Sequence, residues 1–203
     1  MANTDRPFGF QPWGPVLRAN MYAVATNPTI NICVNDLVSH GLTGAATPHL
    51  GTLPILDDAA VPDDDAAMVG GVLNVYDENM YPLNYIAAGR VGNGTIAGYA
   101  LIADHPEQLF VAQEDGDTTP IAAASLGLNA NIISDTLCAP NTTTGLSTQE
   151  INSDTVATTT ALQVQVLFAH PDDEVGSASL PMRERGLKQT NRNTSTLKST
   201  SLP

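Results

Sequence analysis

Residues 157–169, ATTTALQVQVLFA, decide the fold. Leu162, Val164, Val166 and Phe168 recur at every second position, with Gln163 and Gln165 between them. Side chains alternate across an extended strand, so the stretch reads as a strand with one apolar and one wet face. Working outward, residues 95–103 (TIAGYALIA) read as another strand, entered by a Gly92-Asn93-Gly94 turn. Residues 69–76 and 108–113 are further strands, and residues 131–134 and 146–151 weaker ones. In residues 29–39, Ile30, Ile32 and Val34 alternate with Asn31 and Asn35. Only residues 120–128 (PIAAASLGL) look helical, and they allow two turns at most. Many short strands, frequent turn residues and almost no helix predict an all-β protein, a single β-barrel or β-sandwich. Alternating β-α units are missing, which argues against a doubly wound sheet.

The two ends read differently from this body. In residues 1–22, Pro7, Pro12 and Pro15 forbid a continuous helix, and Gly9 and Gly14 punctuate the segment. It nevertheless carries Phe8, Phe10, Trp13 and Tyr22, four of the chain's ten aromatics. An extended arm with aromatic anchors grips another surface or caps its own core, and the residues alone leave both open. Residues 183–203 lack a hydrophobic period and are rich in Ser, Thr, Asn and Lys, a composition that does not fold alone. The expected organisation is an N-terminal arm (1–22), a β-rich domain (23–182) and a polar basic tail (183–203).

Charge follows the same division. Up to residue 182 three cations, Arg6, Arg18 and Arg90, stand against 20 acids, a net −17. Arg183, Arg185, Lys188, Arg192 and Lys198 against Glu184 leave the tail at +4, and the two parts give the chain's −13. An acidic body with a basic arm suits subunits that dock onto neighbours. It disfavours nucleic acid as a partner, because nothing across the body would neutralise phosphates. Charged residues make up 14% of the chain, against about 25% in ordinary domains. No stretch approaches 18 apolar residues, so no membrane span or membrane partner is expected, and the N-terminus lacks the pattern of a secretory leader. With 203 residues the chain can bury about 70% of its unfolded surface without staples. Cys33 and Cys138 sit in apolar contexts and read as buried small hydrophobes, with a disulfide left open.

Chemistry-bearing motifs are sparse. Ala169-His170-Pro171-Asp172-Asp173-Glu174 follows an apolar strand and is similar to the zinc-binding signature of PIG-L-type deacetylases. That resemblance makes His170, Asp172 and Asp173 candidate metal or general-base residues. That family carries its motif near the N-terminus with a further zinc-binding His downstream. Here 29 residues follow Glu174 and none is His, so the string reads as a turn after a strand. Asp57, Asp58 and Asp63-Asp64-Asp65 lack the spacing of a calcium loop. Asp115-Gly116-Asp117 is a turn signal, and no Ser-His-Asp arrangement stands out. No enzyme and no cofactor is expected.

The opening MANTDRPFGFQPWGP resembles that of a group of tailed-phage virion proteins, which begin Met-Ala-Asn, an acid, then Pro-x-Gly-Phe/Leu-x-Pro. The matching positions are Met1-Ala2-Asn3, Asp5, Pro7, Gly9-Phe10 and Pro12. Residues 108–113 (QLFVAQ), followed by Pro120 and by Gly127-Leu128-Asn129-Ala130-Asn131, are similar to a second segment of that group. The strand at 162–168 with Pro171-Asp172-Asp173-Glu174 resembles its close. The basic tail departs from that pattern. The resemblance implies a β-tulip-like decoration or cement protein with one short helix and extended arms. It would be made in the host cytoplasm and sit on the outer capsid surface of the virion. Its partners would be the major capsid protein and itself, as a homo-oligomer, a trimer favoured. The expected contacts are Arg6, Phe8, Phe10, Trp13 and Arg18 from the arm and Arg183, Arg185, Lys188 and Arg192 from the tail. A tail or head-tail protein is the neighbouring alternative.

Overall fold

The apolar segments become the long strands, and among the described residues turns rather than α-helices join them. The computed structural model describes residues 8–28, 30–39, 55–56, 68–115, 121–133, 141–158, 162–169 and 185–189. In chain order the strands begin with β1 (Gln11–Trp13), β2 (Ala19–Ala25), β3 (Ile32–Cys33), β4 (Leu37–Ser39) and β5 (Ile55–Leu56). Next come β6 (Met68–Tyr76), β7 (Pro82–Leu83), β8 (Tyr85–Ile86), β9 (Ile96–Ala103) and β10 (Leu109–Ala112). The last are β11 (Asn129–Ile133), β12 (Glu150–Ala157), β13 (Val164–Ala169) and β14 (Arg185–Gln189). Among the described residues no helix is long and apolar enough to cross a membrane.

The protein is all-β. One sheet runs β1-β10-β14-β13-β11-β12 and the other β4-β6-β9-β2-β5, with β7 paired to β6 and a separate β3-β8 ribbon. The strand order of neither path returns on itself, with β1 and β12 last in the first and β4 and β5 last in the second, so neither sheet closes into a barrel. The two sheets instead share one core. Phe110, Ala112, Ile132, Ile151, Val164 and Val166 from the first meet Leu37, Met68 and Ala103 from the second. The opposite face of the second sheet is also apolar: Tyr22, Val24, Val72, Val75 and Ile102 pack with Ile32 and Ile86 of the ribbon. Burying each large aliphatic or aromatic side chain contributes roughly 1.5–3 kcal/mol, so both cores drive the layering.

Two adjacent glycines allow close contacts, one across the core and one within the second sheet. A Cβ on Gly71 would collide with the Phe110 ring across the core, and one on Gly70 with the Ala103 carbonyl of the neighbouring strand. At Gly71 the second sheet presents bare backbone, and the Phe110 ring fills the space.

Several expectations are corrected. The strand at 29–39 is broken, because Asn35 takes a left-handed φ of 70° and Asp36 turns back to accept from the Cys33 N–H at 2.6 Å. The run at 157–169 is divided: β12 ends at Ala157 and β13 begins at Val164. A register shift between Val166 and Phe168 turns Phe168 outward, off the face that Val164 and Val166 share. The short helix is a single 3-10 turn, Ala123–Ser125, stopped by extended Leu126 and by Gly127 at φ 87°. The N-terminal segment is woven into both sheets, through β1 and β2. The tail contributes β14 to the middle of the first sheet.

Candidate functional site

The aromatic N-terminal segment is held to the β domain at both ends. Gly9, at φ 74°, lets the chain turn in tightly, since a Cβ there would strike Ser147 and the Asn35 carbonyl. Asn35 then fixes the segment on both sides. Its carbonyl accepts from the Phe10 N–H at 2.7 Å, and its Nδ2 donates to the Phe8 carbonyl at 3.1 Å. The Phe10 ring, 0% exposed, enters the core between the sheets. β1 follows and pairs antiparallel with β10, Trp13 opposite Leu109.

After β1 the chain crosses to the second sheet. The Leu17 N–H donates to Gln108 Oε1 at 3.0 Å, and Arg18 Nε donates to Asp104 Oδ1 at 2.7 Å. Asn20 and Tyr22 donate to the other oxygen of Asp104, each at 2.7 Å. Burial would push the Asp104 carboxyl up, but the hydrogen bonds from Asn20, Arg18 and Tyr22 outweigh it and hold the carboxyl below its ordinary range. Between these two clamps Trp13 (38% exposed), Val16 and Leu17 face solvent. Three exposed apolar side chains within five positions, on a fixed backbone at a sheet edge, form a preorganised contact surface.

The expected contact residues therefore separate. Phe10 is withdrawn from solvent and anchors the segment to its own chain, so it offers a partner nothing directly. Phe8 is half-buried beside it. Trp13 is exposed. Arg18 is half exposed, with its charge paired to Asp104. Arg185 and Lys188 lie on β14, where the backbone pairs Arg185 with Ala112 and Lys188 with Leu109. Arg6, Arg183, Arg192, His170, Asp172 and Asp173 lie outside the described residues, as do Cys138, Asp57, Asp58, Asp63-Asp64-Asp65 and Asp117. Among the described residues no group of three or more His, Cys, Asp or Glu could hold a metal. Cys33 is a buried free thiol, pushed up to about 12 by burial and by the nearby Asp36. A truncation through residue 15 would remove Phe10 from the core along with the arm. Point substitutions at Trp13 and Leu17 separate contact from folding.

A second exposed apolar site escaped sequence reasoning. Asp77 Oδ1 accepts from the Asn79 and Tyr81 N–H groups, each at 2.8 Å, closing a turn that exposes Met80 and Tyr81 (68% exposed). Arg90 donates to Glu78 at 2.8 Å, tying this turn to the loop that exposes Val91. The signal was an Asp-Glu-Asn turn followed directly by two large apolar residues.

No family model matches the chain, and no curated protein or solved structure matches it.

Proposed function

We propose that this chain is a structural virion protein that binds the outer capsid surface and stabilises the expanded head by bridging neighbouring capsomers. The observation that carries the reading is the Trp13–Val16–Leu17 surface, held rigid by Phe10 on one side and Asp104 on the other. It lies in the same segment whose opening residues resemble the phage virion group. A fixed aromatic anchor needs little ordering on binding, so its burial translates into affinity. Repetition over a shell multiplies a modest gain per site. The acidic body faces solvent in this reading. The partners are the major capsid protein and further copies of the chain, and the protein performs no catalysis.

Heads assembled without this chain supply the test. Purified chain added to them should bind saturably and raise the temperature at which the heads come apart, since a ligand of the assembled state stabilises it by mass action. No binding to expanded heads would overturn the proposal. Binding confined to the tail or portal would move the role to a head-tail component.

A further inference from the structure

We propose that β14 is an exchangeable strand: residues 185–189 of one copy fill the groove between β10 and β13 of a second copy. The register motivates this. Ala169 and Arg185 are direct partners in the β13–β14 pairing, yet 15 residues, 170–184, lie between them in sequence. Two directly paired strands need a connection of only about 2–5 residues, whereas 15 residues span up to about 50 Å. Connection length therefore does not confine β14 to its own groove.

The groove is a defined template. β14 runs antiparallel to both β10 and β13. The facing edges of those two strands accept a strand of one direction and pair with its main chain on both sides. Recognition of this kind draws its affinity from backbone hydrogen bonds, with little demand on sequence. The segment fits that description, because RGLKQ holds one large apolar residue, Leu187.

Contacts other than those of β14 also hold the edges of the groove together. The two halves of the sheet are joined elsewhere: the Asp115 N–H donates to the Ile151 carbonyl at 3.1 Å, and the Ile151 N–H to the Gln113 carbonyl at 2.9 Å. Phe110 and Ala112 of β10 and Val164 and Val166 of β13 belong to one core, which keeps the two edges in place. A tail of +4 entering a body of −17 on another copy is electrostatically favourable. The chain's own strand competes at an effective concentration in the millimolar range, and neighbours packed at comparable density compete on equal terms. The inference needs only copies of this chain and stands apart from the capsid reading.

The test uses the full chain with Cys33 and Cys138 replaced by Ala. Leu109→Cys and Lys188→Cys, at paired positions of β10 and β14, are placed on separate copies, coexpressed, concentrated to about 1 mM to match the intramolecular competitor, and oxidised. Exchange predicts a disulfide-linked band at twice the mass of the chain. A control carrying both cysteines in one chain reports the pairing itself, and cooperative melting reports folding. Locking in the control without the doubled band in the mixture would overturn the exchange. Locking in neither would overturn it too, since β14 would then not occupy the groove. If cysteine at 109 prevents folding, Ala112→Cys with Arg185→Cys replaces the pair.

Discussion

Arg18 Nε lies 2.7 Å from Asp104 Oδ1, which fastens the start of β2 to the residue that follows β9. The carboxylate is 6% exposed and serves three donors, while Arg18 is half exposed. The two ends of the pair therefore differ in importance. Arg18→Ala removes a partly screened partner and should cost about 1 kcal/mol or less. Asp104→Ala removes the common acceptor of Arg18, Asn20 and Tyr22 and should cost about 2–3 kcal/mol. Urea unfolding of both variants checks the order, and equal losses would show that Asp104 is not the hub.

The pH response of this cluster has a definite sign. The Asp104 carboxyl is held below its ordinary range, so its contribution is present above the unfolded value and is lost as pH falls through the folded one. Asp104→Asn should flatten the acid limb of a stability curve below about pH 4 relative to the unaltered chain.

Asp36 works in the opposite direction and in a different window. Burial pushes its carboxyl up to about 7, against hydrogen bonds from the Ser147 hydroxyl and the Cys33 N–H that pull it down. The folded chain thus keeps a proton that the unfolded chain releases near pH 4. Stability from this group falls as pH rises from about 4 to about 7 and is level above that, a loss of at most roughly 4 kcal/mol. Asp36→Asn should remove that slope and raise the urea midpoint at pH 8. A midpoint that falls equally in both proteins between pH 5 and pH 8 would contradict the assignment.

Gly70 and Gly71 test the layering. Gly71→Ala pushes a methyl group into the Phe110 ring, which can yield only by repacking, and should cost about 1–3 kcal/mol. Gly70→Ala meets the Ala103 carbonyl, which belongs to a paired strand and cannot move alone, so it should cost more. Thermal melts that rank the two in the reverse order would place the close contact elsewhere.

Much of this fold was legible in the sequence, and the failures have physical causes. β6, β9 and β10 were visible because each is a short, nearly continuous apolar run bounded by turn residues such as Gly, Asn, Asp or Pro. β1 and β2 were hidden because proline and glycine around them suggested an arm, while the main-chain pairing of Trp13 with Leu109 leaves no mark on composition. β14 was hidden for the same reason: RGLKQ has no period, and its place is set by backbone pairing to β13 and to the distant β10. The clamp on Asp104 depends on residues 82 to 86 positions apart, a separation no local pattern encodes. Of the expected contacts, the aromatic character of the segment was readable. The division between buried Phe10 and exposed Trp13 followed only from the left-handed turn at Gly9.

The exposed trio carries the binding prediction. Trp13→Ala and Leu17→Asp should leave the melting temperature within a few degrees of the unaltered chain and weaken attachment to heads. A central aromatic anchor is worth about 2 kcal/mol, roughly 30-fold in Kd. Unchanged attachment by both variants would place the contact surface elsewhere, with the turn at Met80 and Tyr81 the next to alter.

The most direct measurement of the central claim is the number of copies of this chain per major capsid subunit in purified particles, by quantitative mass spectrometry. A shell-bridging protein requires a ratio of one or a simple fraction near it. A handful of copies per particle, or none, would contradict the account.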